Sequence, residues 1–140
     1  MIATVKIDTT GAERKLAQLQ QRINKLPWRQ AGEIVKQSIQ ASFETGGNYS
    51  TVGSPLAGRN KWSPRKKVVA WKILKKSSAL QKSIYVYPVN NRSYIGSRGL
   101  DYNRAHNLGY GAIPARPFLV VKDADIRAIS TLFRNYLTIR

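Results

Sequence analysis

Residues 3–8, Ala-Thr-Val-Lys-Ile-Asp, alternate apolar and polar side chains, with Ala3, Val5 and Ile7 on one side. That period of two predicts a half-buried strand. Thr9, Thr10 and Gly11 follow as a turn, with Thr10 as candidate N-cap and Glu13 three residues later, as in a capping box. Leu16, Leu19, Ile23 and Leu26 then recur at spacings of three and four, the stripe of an amphipathic helix. Pro27 interrupts it, and Ala31, Val35, Ile39 and Phe43 resume at strict four-residue spacing, joined by Ile34. Residues 10–44 therefore predict two helices, or one kinked at Pro27.

The pattern changes at residues 45–64, a polar stretch punctuated by Gly46-Gly47-Asn48 and Gly53-Ser54-Pro55 that predicts a long loop. It closes on Lys61-Trp62-Ser63-Pro64, where Trp62 is a candidate anchor to the body. A short basic helix is expected over 65–76, with Val68, Val69, Trp71, Ile73 and Leu74 among lysines. Ile84-Tyr85-Val86-Tyr87 and Ser93-Tyr94-Ile95-Gly96, joined by Asn90-Asn91, predict a hairpin over 84–96. Tyr85 and Tyr87 share one face of it, Ile84 and Val86 the other. A short helix is expected over 101–108, ending at Gly109. Residues 113–121 read as a proline-stiffened strut, Ile113-Pro114-Ala115-Arg116-Pro117, running into a buried strand at Phe118–Val121. The last helix, 123–138, carries Ile126, Ile129, Phe133, Tyr136 and Leu137 on its apolar side, and Asp123 and Asp125 in its first turn. No repeat or second domain is visible. The expected fold class is α+β: one domain, 1–140, with a small antiparallel sheet packed against helices.

Composition sharpens the picture. The 140 residues include 24 Lys+Arg and 7 Asp+Glu, a formal net charge of +17. Between Glu44 and Asp101 there is no acid, while Arg59, Lys61, Arg65, Lys66, Lys67, Lys72, Lys75 and Lys76 form a candidate basic surface. A field of one sign draws anionic partners, whether nucleic acid, an acidic protein ring or a membrane surface. No apolar run approaches the ~20 residues of a membrane span, and the first residues lack the pattern of a secretory signal. The basic 65–76 segment reads as a packed helix with snorkelling lysines rather than a membrane-surface helix.

Catalysis is poorly supplied. Cysteine is absent and His106 is the single histidine, so we expect no enzyme, cofactor or metal site. The best titratable set is Asp101 with His106, plus Asp123 and Asp125. Its simpler reading has Asp101 capping the short helix and the later pair capping the last one. Gly109-Tyr110-Gly111 follows a helix and precedes prolines, the wrong context for a phosphate-cradling loop. Nucleic-acid binding has better material, because Trp62, Trp71, Tyr85, Tyr87 and Tyr94 can stack on bases while lysines and arginines neutralise phosphates. No helix-turn-helix, zinc-finger or RNA-recognition signature accompanies them.

The order of motifs resembles one family. Phe43 and a loop ending in Lys61-Trp62-Ser63-Pro64 precede a basic segment and Ser77-Ser78-Ala79-Leu80-Gln81-Lys82-Ser83-Ile84. Tyr94-Ile95-Gly96-Ser97 follows, then Tyr102, His106 and Gly109, and then Ile113-Pro114-Ala115-Arg116-Pro117-Phe118-Leu119 before the final helix. Over residues 30–138 this is similar to the phage virion-morphogenesis proteins, the tail-completion proteins of Mu-like tailed phages and prophages. The chain departs from that pattern at Ala79, where the family has Gly, and at Asn103, where it has Ala.

The resemblance implies a tail-terminator-like or neck-protein-like structural protein, not an enzyme. It would complete the tail at its head-proximal end and support head–tail joining, as a ring of copies with six as the candidate number. Implied partners are the chain itself, the tail tube and the neck or connector proteins, with nonspecific DNA contact and neither membrane nor small-molecule substrate. The implied location is the virion tail or neck, reached through the bacterial host cytoplasm during assembly. The match carries over Trp62, Leu80, Gly96, Tyr102, His106, Gly109, Pro114, Arg116, Pro117 and Phe118 as candidate interface or motif residues. Arg116, with its planar fork of donors, suits a carboxylate or backbone carbonyls. His106 is expected to hydrogen-bond near the strut, and intramolecular bracing is the competing role for both. The alternative function is a basic nucleic-acid-binding accessory protein.

Overall fold

A computed structural model describes residues 8–47, 62, 67, 70 and 73–138. The expected strand at 3–8, nearly all of the 45–64 loop, and Arg59, Lys61, Arg65, Lys66, Trp71 and Lys72 lie outside the described residues.

The first half forms two separate helices, α1 (Thr10–Asn24) and α2 (Trp28–Thr45). Thr10 is the first residue of α1 rather than its cap. Asp8 Oδ1 accepts the Thr10 N–H at 2.9 Å, and the Thr9 hydroxyl donates to Glu13 Oε1 at 2.7 Å. The cap sits earlier because the Asp8 carboxylate reaches a first-turn donor and is the better acceptor. No residue of α1 is buried, and Leu16 of its apolar stripe is exposed.

α2 carries the core. Its four-residue spacing puts Ala31, Val35, Ile39 and Phe43 on one buried face. It stops at Gly46, whose φ of 73° is left-handed and open to glycine at little cost. Gly47 then donates to Ser42 O at 2.8 Å.

The hairpin pairs β1 (Ile84–Val89) with β2 (Arg92–Ser97), antiparallel, with Tyr87 opposite Tyr94 and Tyr85 opposite Gly96. Asn90 takes the positive φ, 51°, that its tight turn needs. Ile84, Val86 and Ile95 face α2, and the tyrosines face away. Helix and sheet meet at Gly32. A Cβ there would collide with Ser93 Oγ and Val86 Cγ1, so only glycine lets α2 approach this closely.

Two short helices, α3 (Ala79–Lys82) and α4 (Asn103–Leu108), bracket the hairpin. The last helix, α5 (Asp123–Leu137), packs Ile129 toward the core and sets Phe133 edge-on to Trp28 at 5.0 Å. Ile126 and Tyr136, expected on its buried side, are exposed. These elements make a small α+β domain, a two-stranded antiparallel sheet packed against helices. No described helix is long and apolar enough to cross a membrane.

Two sequence expectations change. Ile73 and Leu74 form a turn, with Leu74 at φ 59°, so the expected 65–76 helix does not extend over its last residues. A left-handed φ on a branched-chain L-residue cannot be continued as a right-handed helix, so Leu74 ends any helical path there. Phe118–Val121 is not a strand: Phe118 is buried while Leu119 and Val121 are exposed, and the pairing nearby is an isolated bridge between Tyr110 and Ile113. Pro114 and Pro117 remove donors that a ladder needs.

Candidate functional site

The residues from Tyr102 to Phe118 fold back on one another and on the core. α4 begins at Asn103, with Tyr102 at its N-cap and no side-chain cap. Asp101 thus does not cap the helix. It sits in an exposed turn. Asn103, one of the departures from the family pattern, donates to Ser97 Oγ at 2.7 Å and ties α4 to the end of β2.

Four hydrogen bonds clamp the strut. The Arg116 N–H donates to the His106 carbonyl at 2.8 Å. Asn107 Oδ1 accepts from the N–H groups of both Phe118, at 2.9 Å, and Leu119, at 3.1 Å. The Trp62 indole donates from Nε1 to Pro117 O at 2.7 Å. Gly109 makes room for this fold-back, since a Cβ there would lie 3.0 Å from Ala115 N and its φ is 81°. Trp62 is itself seated on the core, edge-on to Phe43 at 5.3 Å, and Phe43 touches Phe118 at 5.8 Å. Gly47 is needed beneath that indole, because a Cβ there would fall 2.7 Å from its ring.

The candidate motif residues therefore divide. Trp62, Leu80, Arg116 and Phe118 lie inside the protomer, with Arg116 only 8% exposed. Arg116 is thus enclosed within its own protomer rather than presented on its surface. His106, Gly109 and Pro117 are half-buried, and Gly96 lies under the Tyr85 ring. Tyr102 and Pro114 are exposed.

Leu80, Tyr102, His106 and Arg116 come together around one cavity of about 360 Å³, with Lys76 and Ser77 on its edge. Tyr102 packs edge-on to His106 at 5.5 Å. The expected hydrogen bond of His106 comes from its main-chain carbonyl. Its ring Nδ1 is buried and has no partner. Burial first, and the Arg116 charge second, hold the imidazole pKa below its ordinary value, so the ring is neutral at pH 7. Among the described residues the cavity lining offers donors and positive charge and contains no carboxylate.

The other titratable candidates lie elsewhere. Asp125 is buried at the start of α5, where Oδ2 accepts the Lys122 N–H at 2.9 Å. Lys122 in turn donates from Nζ to Ser38 O at 3.1 Å, and burial lowers its pKa against the opposing pull of Asp125. Among the described residues no three His, Asp or Glu side chains gather. Of the candidate basic surface, Lys67 and Lys76 are exposed, while Lys75 pairs with Glu44. Sequence reading missed Asn107 and Gly32. A lone Asn at a helix end and a lone Gly within a helix were the available signals.

No family model, curated protein or solved structure matches this chain. The class defined here is a small basic α+β domain with a clamped, proline-stiffened strut.

Proposed function

We propose that this chain is a structural virion-assembly protein. It completes a phage tail at the head-proximal end and supports joining to the capsid, acting as a ring of its own copies. The supporting observation is the outward side of the clamped segment. While Arg116 and Phe118 are held inside, Tyr102, Leu108, Tyr110, Ile113, Leu119 and Val121 are exposed along the same stretch. A stiff backbone presenting large apolar side chains forfeits little ordering entropy when it docks. It lies in the part of the chain that carries the most specific family-like motif, Ile113–Leu119. Head-to-tail contacts between such surfaces close into a ring when the rotation per copy permits.

Two measurements test the reading. Sedimentation of the purified chain should show a closed oligomer that Leu108→Glu with Tyr110→Glu reduces to folded monomer. In an induced phage lacking the gene, negative-stain microscopy should show filled heads beside unjoined tails, rescued by complementation. Normal joined virions in the deletion would remove the proposal.

A further inference from the structure

The hairpin has a second face that the tail-completion reading does not use. β1 and β2 turn Ile84, Val86 and Ile95 toward α2, so Tyr85, Tyr87, Arg92, Tyr94 and Gly96 share the opposite face. Tyr87 and Tyr94 stand directly across the ladder from each other and are 61% and 52% exposed. Tyr85 lies flat over Gly96, where a Cβ would come within 2.9 Å of its ring, and Arg98 stacks above it at 5.2 Å. Arg92 marks the turn end of the same face and is exposed. Between these two arginines the strand rises about 20 Å. No acidic residue occurs anywhere in the hairpin, which sits inside the acid-free window of a chain of net charge +17.

We propose that this face binds single-stranded nucleic acid. Tyr87 and Tyr94 receive one base each, and Arg92 and Arg98 neutralise the flanking phosphates. Every base has a π-face, so stacking on paired tyrosines is tolerant of sequence and requires unpaired bases. Positive charge at both ends suits a polyanion strand and repels a second copy of this basic chain at the same face. The inference is independent of the ring.

The test is fluorescence anisotropy of the full chain with labelled dT12 and with a duplex of equal length, across a salt series. Tyr87→Ala and Tyr94→Ala should each weaken dT12 binding about 5- to 150-fold and leave the salt slope unchanged. Arg92→Ala should instead lower that slope by about 0.7. Tyr136→Ala, an exposed tyrosine on α5, should change nothing, and the tyrosine variants should spare duplex binding. Circular dichroism checks that each variant is folded. The proposal is overturned if the Tyr87→Ala/Tyr94→Ala double variant binds dT12 as the wild type does. It is equally overturned if that variant alters only the oligomeric state, which would assign the face to a second copy.

Discussion

The indole Nε1 of Trp62 donates to the carbonyl oxygen of Pro117 at 2.7 Å, joining positions 55 residues apart in the chain. One side chain thereby ties the strut to Phe43 of α2, because the same indole ring packs edge-on against Phe43.

Replacing that ring separates its two roles. Trp62→Phe keeps an aromatic against Phe43 and loses the bond to Pro117, which should cost about 1–3 kcal/mol. Trp62→Ala should cost about 3–5 kcal/mol through the void it leaves. Urea unfolding followed by circular dichroism measures both; Trp62→Phe at wild-type stability would mean the hydrogen bond contributes nothing, and equal stabilities for the two variants would mean the same of the ring packing.

Asn107 makes a sharper case, since its side-chain oxygen alone receives two main-chain donors. Asn107→Asp retains the acceptor and should stay near wild-type stability. Asn107→Ala leaves the Phe118 and Leu119 N–H groups without that acceptor, at a cost of about 1–3 kcal/mol. If both variants unfold at the same urea concentration, the clamp is not what secures the strut.

Gly32→Ala should overpack the helix–sheet contact and cost about 1–3 kcal/mol. The new methyl group meets Ser93 Oγ and Val86 Cγ1. Combining it with Ser93→Ala and Val86→Ala should therefore recover part of the loss, a non-additivity expected of touching residues. Simple addition of the separate costs would place the strain elsewhere.

His106 gives the chain a signature in acid. Its folded-state pKa lies below the ordinary value of 6.5, so between the two values the unfolded chain binds more protons. Stability from the neutral ring is thus complete above about pH 6.5 and falls as pH drops through the folded-state pKa. Carboxylates titrate lower, near pH 4, and no other histidine exists in the sequence. Thermal melts between about pH 7 and 5 should show this decline in the wild type and a flat profile in His106→Phe, which keeps a ring beside Tyr102. An equal decline in both would point to another group.

Much of the architecture was legible. The period-four stripe of Ala31, Val35, Ile39 and Phe43 specified α2, and alternation around Asn90-Asn91 specified the hairpin. Both signals are local, since each follows from the geometry of a single element. Proline also read correctly as a barrier to regular structure at 113–117, though the strand expected after it did not form.

Which way side chains point once elements meet was not legible. Ile126 lies on the apolar side of α5 and still faces solvent, since periodicity marks a face without saying how much of it a neighbour covers. Arg116, the most polar residue of its motif, turns inward where the backbone is clamped at its own N–H, by His106, and at Phe118 and Leu119, by Asn107.

The sequence by itself determined the periods, the breaks and the charge of this protein, all of which depend on neighbours a few residues away. Only the tertiary structure decided that Gly32 is the point of contact, that Trp62 holds Pro117, and that Tyr87 and Tyr94 remain open while Arg116 is enclosed. Burial is a property of two surfaces that meet, and the residues forming the second surface here lie 55 positions away for Trp62 and Pro117 and 84 for Ser38 and Lys122.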